Sequence, residues 1–204
     1  MMANVTLTME NLKKRGFSVS HFADKASCAA YLLSEIGNKT VGIGGSITID
    51  ELGIFPTLKE RPEGEAFWHW ENYADTSIQD FANAAPVYLM SANGVSESGL
   101  IHNIDGRGNR VANMCYGHEK VYIVIGINKI APSDEMALWR ARNVAGVKNA
   151  RRLQYQTPCM PGEELKCFDC DSPNRICRAF VSLTHKPSSI EDVEVVIVDE
   201  ALGY

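Results

Sequence analysis

Four of the six cysteines, Cys159, Cys167, Cys170 and Cys177, fall in the pattern C-x7-C-x2-C-x6-C. A C-x2-C pair sets two thiolates on one turn, where both can bind one metal, and the two flanking cysteines can complete a tetrahedral four-sulfur shell. Such soft donors suit either Zn(II) or an iron-sulfur cluster. The spacing matches neither the bacterial ferredoxin run nor paired zinc ribbons, so reduced free thiols stand as the alternative. Cys28 and Cys115 lie apart and read as small core residues.

Three further segments have side chains and turns suited to holding a ligand. Val41-Gly42-Ile43-Gly44-Gly45-Ser46-Ile47-Thr48 is a glycine-rich turn between a strand and a helix. Gly42, Gly44 and Gly45 let the backbone approach a ligand, and the N–H groups of the following helix start, with the Ser46 and Thr48 hydroxyls, can hold a phosphate or carboxylate. Ile47 stands where the dinucleotide fingerprint needs its last glycine, and no lysine follows as in a Walker loop. A tight turn with no ligand is the plain alternative. Ser91 to Gly99 forms a second such loop, with Glu97 as a candidate catalytic carboxylate or, equally, a solvated loop acid. The third, Ile101 to Val111, carries Asp-Gly and Gly-Asn steps that predict a hairpin. Its polar side chains exceed what a turn requires: Asn103 is a candidate contact, and Arg107 and Arg110 can clamp an anion in a fork. His102 reads as a structural histidine rather than a catalytic one.

Positioning these loops requires strands and helices in alternation. Val5, Met9 and Leu12 share one face of a short helix that ends at Gly16, and Phe17 to Phe22 alternates as a strand. Asp24 caps a helix with Ala29, Leu33 and Ile36 on one face, closed by Gly37. Thr40 to Gly45 gives a strand and turn, and a helix is predicted from Ser46 to about Lys59. Glu65 to Trp70 alternates, and Ser77 to Ala84 has helical spacing. Val87 to Met90 and Val121 to Ile125 are apolar runs of the kind found in parallel strands covered on both faces, and Val193 to Val198 supplies a last buried strand. Ser133 starts a last helix with a narrow stripe of Ala137, Ala141, Val144 and Val147. The pattern predicts a three-layer α/β/α sandwich around a mostly parallel sheet. The two glycine loops would then share its carboxyl edge, where ligands bind in open α/β sheets.

With 204 residues, 45% hydrophobic and 22% charged, the chain suits one core with insertions rather than two full domains. A net charge of −5 gives no cationic excess for nucleic acid. No apolar stretch is long enough to cross a membrane, and Met1 to Phe17 lacks an apolar signal core, which predicts a soluble cytoplasmic protein with no membrane partner. In that reducing setting clustered cysteines point to metal rather than disulfides.

Taken in order, Gly42-Ile43-Gly44-Gly45-Ser46 with Glu51-Leu52-Gly53, then Glu97-Ser98-Gly99, Asn103 through Arg110, Gly126-Ile127-Asn128-Lys129, the cysteine segment and Leu202-Gly203-Tyr204 form a series. That series resembles the LUD domain, named for lactate utilisation, over nearly the whole chain. The resemblance implies a single domain over residues 1–204 with a cysteine-rich segment at 157–180. Because the tandem ferredoxin-type cysteine runs of the larger LUD subunit are missing, the likeness is to the short, single-domain branch. It implies the fold shared by ribose-5-phosphate isomerase, glucosamine-6-phosphate deaminase and CoA-transferases. It further implies an accessory redox subunit in the oxidation of L-lactate or a similar 2-hydroxy acid, working with redox partner subunits. Such a subunit would hold a small anionic metabolite at Gly44, Gly45, Ser46 and Arg107 or Arg110. Likeness to CoA-transferases makes Glu97 a counterpart of their nucleophilic glutamate. Two readings of other classes stand beside this one: a stand-alone transferase or isomerase on a CoA-linked or phosphorylated metabolite, and a zinc-stabilised binding module without catalysis.

Overall fold

The computed structural model describes residues 3–204; Met1 and Met2, the first two residues of the predicted domain, lie outside the described residues. Asn4 opens α1 (Val5–Lys14) by accepting the Leu7 N–H through its side chain. There follow β1 (Ser18–Phe22), α2 (Lys25–Ile36), β2 (Val41–Ile43), α3 (Ile47–Leu52), α4 (Phe55–Lys59), β3 (Ala66–Trp68), α5 (Ser77–Ala84) and β4 (Val87–Met90). The second half runs β5 (Gly94–Ser96), β6 (Ile101–Asp105), α6 (Asn109–Asn113), β7 (Lys120–Gly126), β8 (Ile130–Ala131), α7 (Asp134–Arg140), α8 (Val147–Arg152), β9 (Ala179–Leu183) and β10 (Asp192–Val198). A 3-10 turn (Ile127–Lys129) joins β7 to β8, and a π turn (Ala141–Gly146) joins α7 to α8.

Six strands form a wholly parallel sheet in the order β1-β10-β7-β4-β2-β3. Successive side chains on a strand point to opposite faces, so a sheet covered on both sides needs apolar residues at every position. The central strands meet that demand except at Glu194 of β10, which is buried beside Tyr31 and Lys120. Val121, Ile123 and Ile125 of β7 and Val193, Val195 and Ile197 of β10 pack into one core with Leu12, Val111 and Met114. The intervening Tyr122, Val124, Val196 and Val198 pack into a second core with Cys28, Leu32 and Ile36 of α2 and with Ile49, Leu52 and Leu58 of α3 and α4. The result is a three-layer α/β/α fold.

Several sequence expectations need correction. The helix predicted from Ser46 to Lys59 is two short helices, because Gly53 takes a left-handed conformation (φ 66°) and ends α3. No hairpin turns at Asp105–Asn109; β6 runs instead into α6, and the hairpin is β5–β6, closed by the Glu97–Leu100 turn. A second sheet, β8-β5-β6-β9, was not visible in the pattern; it lies between the parallel sheet and α7, whose Ala137 carbonyl would overlap a Cβ on Gly94. The π turn shifts the predicted stripe, so that Ala145 and Gly146 are buried in place of Val144. Gly42 has a packing role, since a Cβ there would overlap the Ala82 backbone of α5.

Gly42→Ala should therefore lower stability by about 1–3 kcal/mol in urea unfolding through overpacking; an unchanged midpoint would show that α5 can move away. His102, on β6, is 5% exposed, has Nδ1 2.7 Å from Ser182 Oγ, and leaves Nε2 without a partner. Burial depresses its pKa below the usual 6.5 despite the opposing charge of Asp134. The unfolded chain takes up the proton first, so this contribution is complete above pH ~6.5 and is lost as pH falls through the lower folded value. The urea midpoint should decline below that pH in the wild type and decline less in His102→Gln.

Candidate functional site

Strands β2, β4 and β7 are neighbours and parallel, so their carboxyl ends open on one side, as do the loops that follow them. After β2, Gly44 donates its N–H to Leu89 O (2.9 Å), and its bare α-carbon lets Arg110 Cγ and the Tyr88 hydroxyl come close. Gly45 faces the rings of His69 and Trp70, where a Cβ would crowd Trp70 Nε1. Ser46 caps α3 through its hydroxyl, which accepts the Ile49 N–H at 3.3 Å. After β4 come Ser91, Ala92 and Asn93. After β7 the 3-10 turn turns Lys129 inward, leaving it 3% exposed.

Lys129 Nζ donates to Thr48 Oγ1 (2.7 Å) and Ser91 Oγ (2.8 Å). Each hydroxyl places its own proton on a carbonyl, Thr48 on Leu202 and Ser91 on Ala92. Among the described residues no carboxylate forms an ion pair with this amine. Burial, followed by the nearby charges of Arg140 and Arg110, pushes its pKa well below the lysine range. Arg140 is itself buried, which brings its pKa down to about 10, and it ties the loops together by donating to Asn128 O (2.7 Å) and Asn93 O (2.5 Å).

Asp105, at the end of β6, fixes the second side of the site. Its Oδ1 accepts the N–H groups of Arg107 (3.1 Å) and Gly108 (3.4 Å), and its Oδ2 accepts the backbone N–H and Nε of Arg110, both at 3.1 Å. Arg110 Nη2 also holds Ile104 O at 2.8 Å, whereas Arg107 reaches only Gln79 Oε1 (3.2 Å). The Asp105 carbonyl accepts the Arg178 N–H, and Gly106 passes under Ile176, so the cysteine-rich segment closes against this loop.

These loops enclose a cleft of about 640 Å³. Its wall carries five arginines (Arg107, Arg110, Arg152, Arg175 and Arg178), besides the Lys129 amine, against one acidic side chain, Asp105. Aromatic groups complete it: Arg152 stacks on Trp70 at 4.9 Å, and His69 lies edge-on to Tyr73. Burial and then the charges of Arg107 and Arg110 lower the His69 pKa, so its imidazole is neutral at pH 7.

Gly45, Ser46, Arg107 and Arg110 of the sequence candidates line this cleft. Asn103 is buried behind it, donating to Ser91 O at 3.2 Å and so bracing a hydroxyl that holds Lys129. Glu97 is elsewhere. The chain leaves the cleft edge at Asn93 and enters β5, which carries Glu97 to α1, where it accepts the Asn4 N–H at 2.9 Å. Lys129, His69, Asp105 and Arg152 were not singled out from sequence. Lys129 had a usable signal, a lone cation just past an apolar strand and its glycine; His69, inside an alternating aromatic run, had none.

The four clustered cysteines are free of disulfides and line one small cavity of about 20 Å³ with Ala150 and Ile176. Burial, with Cys167 and Cys159 nearby, pushes the Cys177 thiol up to about 11. Among the described residues, no three His, Cys, Asp or Glu side chains stand in an arrangement that would hold a metal ion. The donor types and their convergence suit a metal; their spacing as it stands is not that of a formed shell.

A family model described as the LUD domain matches residues 5–198. Among solved structures, a DUF162 family protein from Deinococcus radiodurans is similar at a TM-score of 0.54 and 14% identity, with 95% of each chain covered. That likeness supports the fold, and DUF162 is the older name of the same domain. No curated protein matched the chain. With nearly its full length matched by the family model, the chain belongs to the LUD domain family.

Proposed function

We propose that this chain serves lactate-type metabolism by binding a small anionic metabolite, a 2-hydroxy acid or its 2-oxo counterpart, in the cationic cleft, as an accessory subunit beside redox partners. Membership of a family related to lactate utilisation supports the metabolic setting. The observation that carries the ligand class is the imbalance of five arginines against one acid around the cleft. Arginines recognise carboxylates through paired N–H donors, and a hydroxyl or carbonyl on the neighbouring carbon calls for a second polar group, a role open to Lys129, Ser91 and Thr48.

One observation favours the second reading, a transferase or isomerase acting on a phosphorylated or CoA-linked metabolite. A cleft of about 640 Å³ is of the size that holds a drug-sized ligand, and a three-carbon acid would fill only its floor. Glu97 lies outside the residues that line the cleft, accepting the Asn4 N–H at α1.

Titration calorimetry with L-lactate, pyruvate, inorganic phosphate and coenzyme A separates the two. Lactate or pyruvate should bind, and Arg107→Gln should weaken binding about tenfold or more, the loss of a charged hydrogen bond of about 1.5–3 kcal/mol, without altering thermal stability. Binding of phosphate or coenzyme A alone would transfer the conclusion to the second reading, and binding indifferent to Arg107 would move the ligand out of the cleft.

The cofactor assigned in this proposal is a metal held by Cys159, Cys167, Cys170 and Cys177. A space of about 20 Å³ takes one water-sized sphere, which favours a single zinc over an iron-sulfur cluster. The metal would supply cross-linking of an otherwise irregular segment rather than electron transfer. Oxygen-free preparations should be colourless and contain about one equivalent of zinc, lost in Cys167→Ser and Cys170→Ser; a brown protein that bleaches on reduction would restore the cluster.

A further inference from the structure

Lys129 combines features that binding alone does not require. Holding an anion calls for an exposed or loosely paired cation, and the arginines of the cleft already supply several. Lys129 instead sits on the floor of the same cleft, 3% exposed, between two hydroxyls that both accept from it. Because Thr48 and Ser91 donate their own protons to Leu202 and Ala92, each can only accept from the amine. A neutral amine has two N–H bonds and one lone pair. The two hydroxyls take both N–H bonds, and the lone pair is left over. An ammonium in the same place would carry a third N–H with no protein acceptor among the described residues, at the cost of a buried, unpaired charge.

We infer that Lys129 is a nucleophile that condenses reversibly with the carbonyl carbon of a 2-oxo acid bound in the cleft, forming an imine; this rests on the ligand class proposed above. The nitrogen lone pair forms the new bond to carbon. The carbonyl oxygen leaves as water with the two hydrogens of the amine, so C=N replaces C=O with no oxidant or reductant consumed. Thr48 and Ser91 orient the nitrogen, and the arginine loop is the place for the carboxylate. Burial and the neighbouring guanidinium groups lower the pKa of this amine well below that of exposed lysines, against the opposing charge of Glu51, and so favour its neutral form.

Pyruvate with sodium cyanoborohydride, applied to the full chain at pH 7, tests this by trapping any imine as a stable secondary amine. Peptide mapping by mass spectrometry should find Lys129 carrying the mass of pyruvic acid less one oxygen atom, ahead of every exposed lysine and absent from Lys129→Arg. Should that variant fail to fold, the map of the wild-type protein decides by itself. Pyruvate bound in calorimetry with Lys129 unmodified would overturn the inference and leave the ligand reading standing. Absence of pyruvate binding would overturn both.

Discussion

The carboxylate of Asp105 is the interaction on which the site depends. It is 5% exposed, and a buried carboxylate without partners is costly, so its four N–H contacts are what offset its burial. Those contacts fix three successive features: the turn after β6, the first residues of α6, and the Arg110 side chain. The carbonyl of the same residue accepts the Arg178 N–H and so pins the cysteine-rich segment. One residue thus joins the small sheet, the arginine loop and the far wall of the cleft. A change there would disturb all three together, because each is a loop with little regular structure to hold it in place.

The parallel sheet sets where such polar groups can gather. With both faces of β4, β7 and β10 buried largely in apolar cores, most polar side chains, Glu194 of β10 excepted, collect beyond the strand ends. Lys129 is the extreme case, reached from β7 by a single 3-10 turn and buried by the loops of β2 and β4. Arg140 draws the loops after β4 and β7 together by hydrogen bonds to their carbonyls, a role suited to a planar group with several fixed donors. At the π turn that follows α7, Ala145 and Gly146 line the cleft with little side chain to fill it.

Much of this architecture is written in local pattern. The apolar runs at residues 87–90 and 121–125, with the strand expected at 193–198, became the central strands, because a strand covered on both faces leaves a mostly apolar signature. Capping residues were equally legible: Asp24, Ser46 and Ser133 each accept an N–H from the first turn of the helix they precede. The small sheet escaped because β5 and β8 are three and two residues long, too short for any period to register. The arginine loop was found by its residue types but given the wrong shape, since Asp-Gly reads as a hairpin turn until the Asp105 side chain is seen satisfying α6. Glu97 lies away from the cleft for a related reason. Its loop begins at the cleft, and nothing in the sequence reveals that the three intervening residues belong to another sheet.

The thiol cavity and the cleft are two sides of one segment. Arg175, Ile176 and Cys177 line both, and Arg175 reaches across to Cys177 O (2.6 Å), Cys170 O (2.9 Å) and Asp169 Oδ1 (2.9 Å). The segment from 153 to 178 has no helix or strand of its own, so its shape rests on such contacts and on whatever the four sulfurs hold. Closing that loop through the sulfurs would restrict the positions open to Arg175 and Arg178, the cations on the cleft's outer wall. The cysteines and the anion-binding residues, far apart in sequence logic, therefore act on a single physical quantity: how firmly the cationic wall is held over the floor where Lys129 lies.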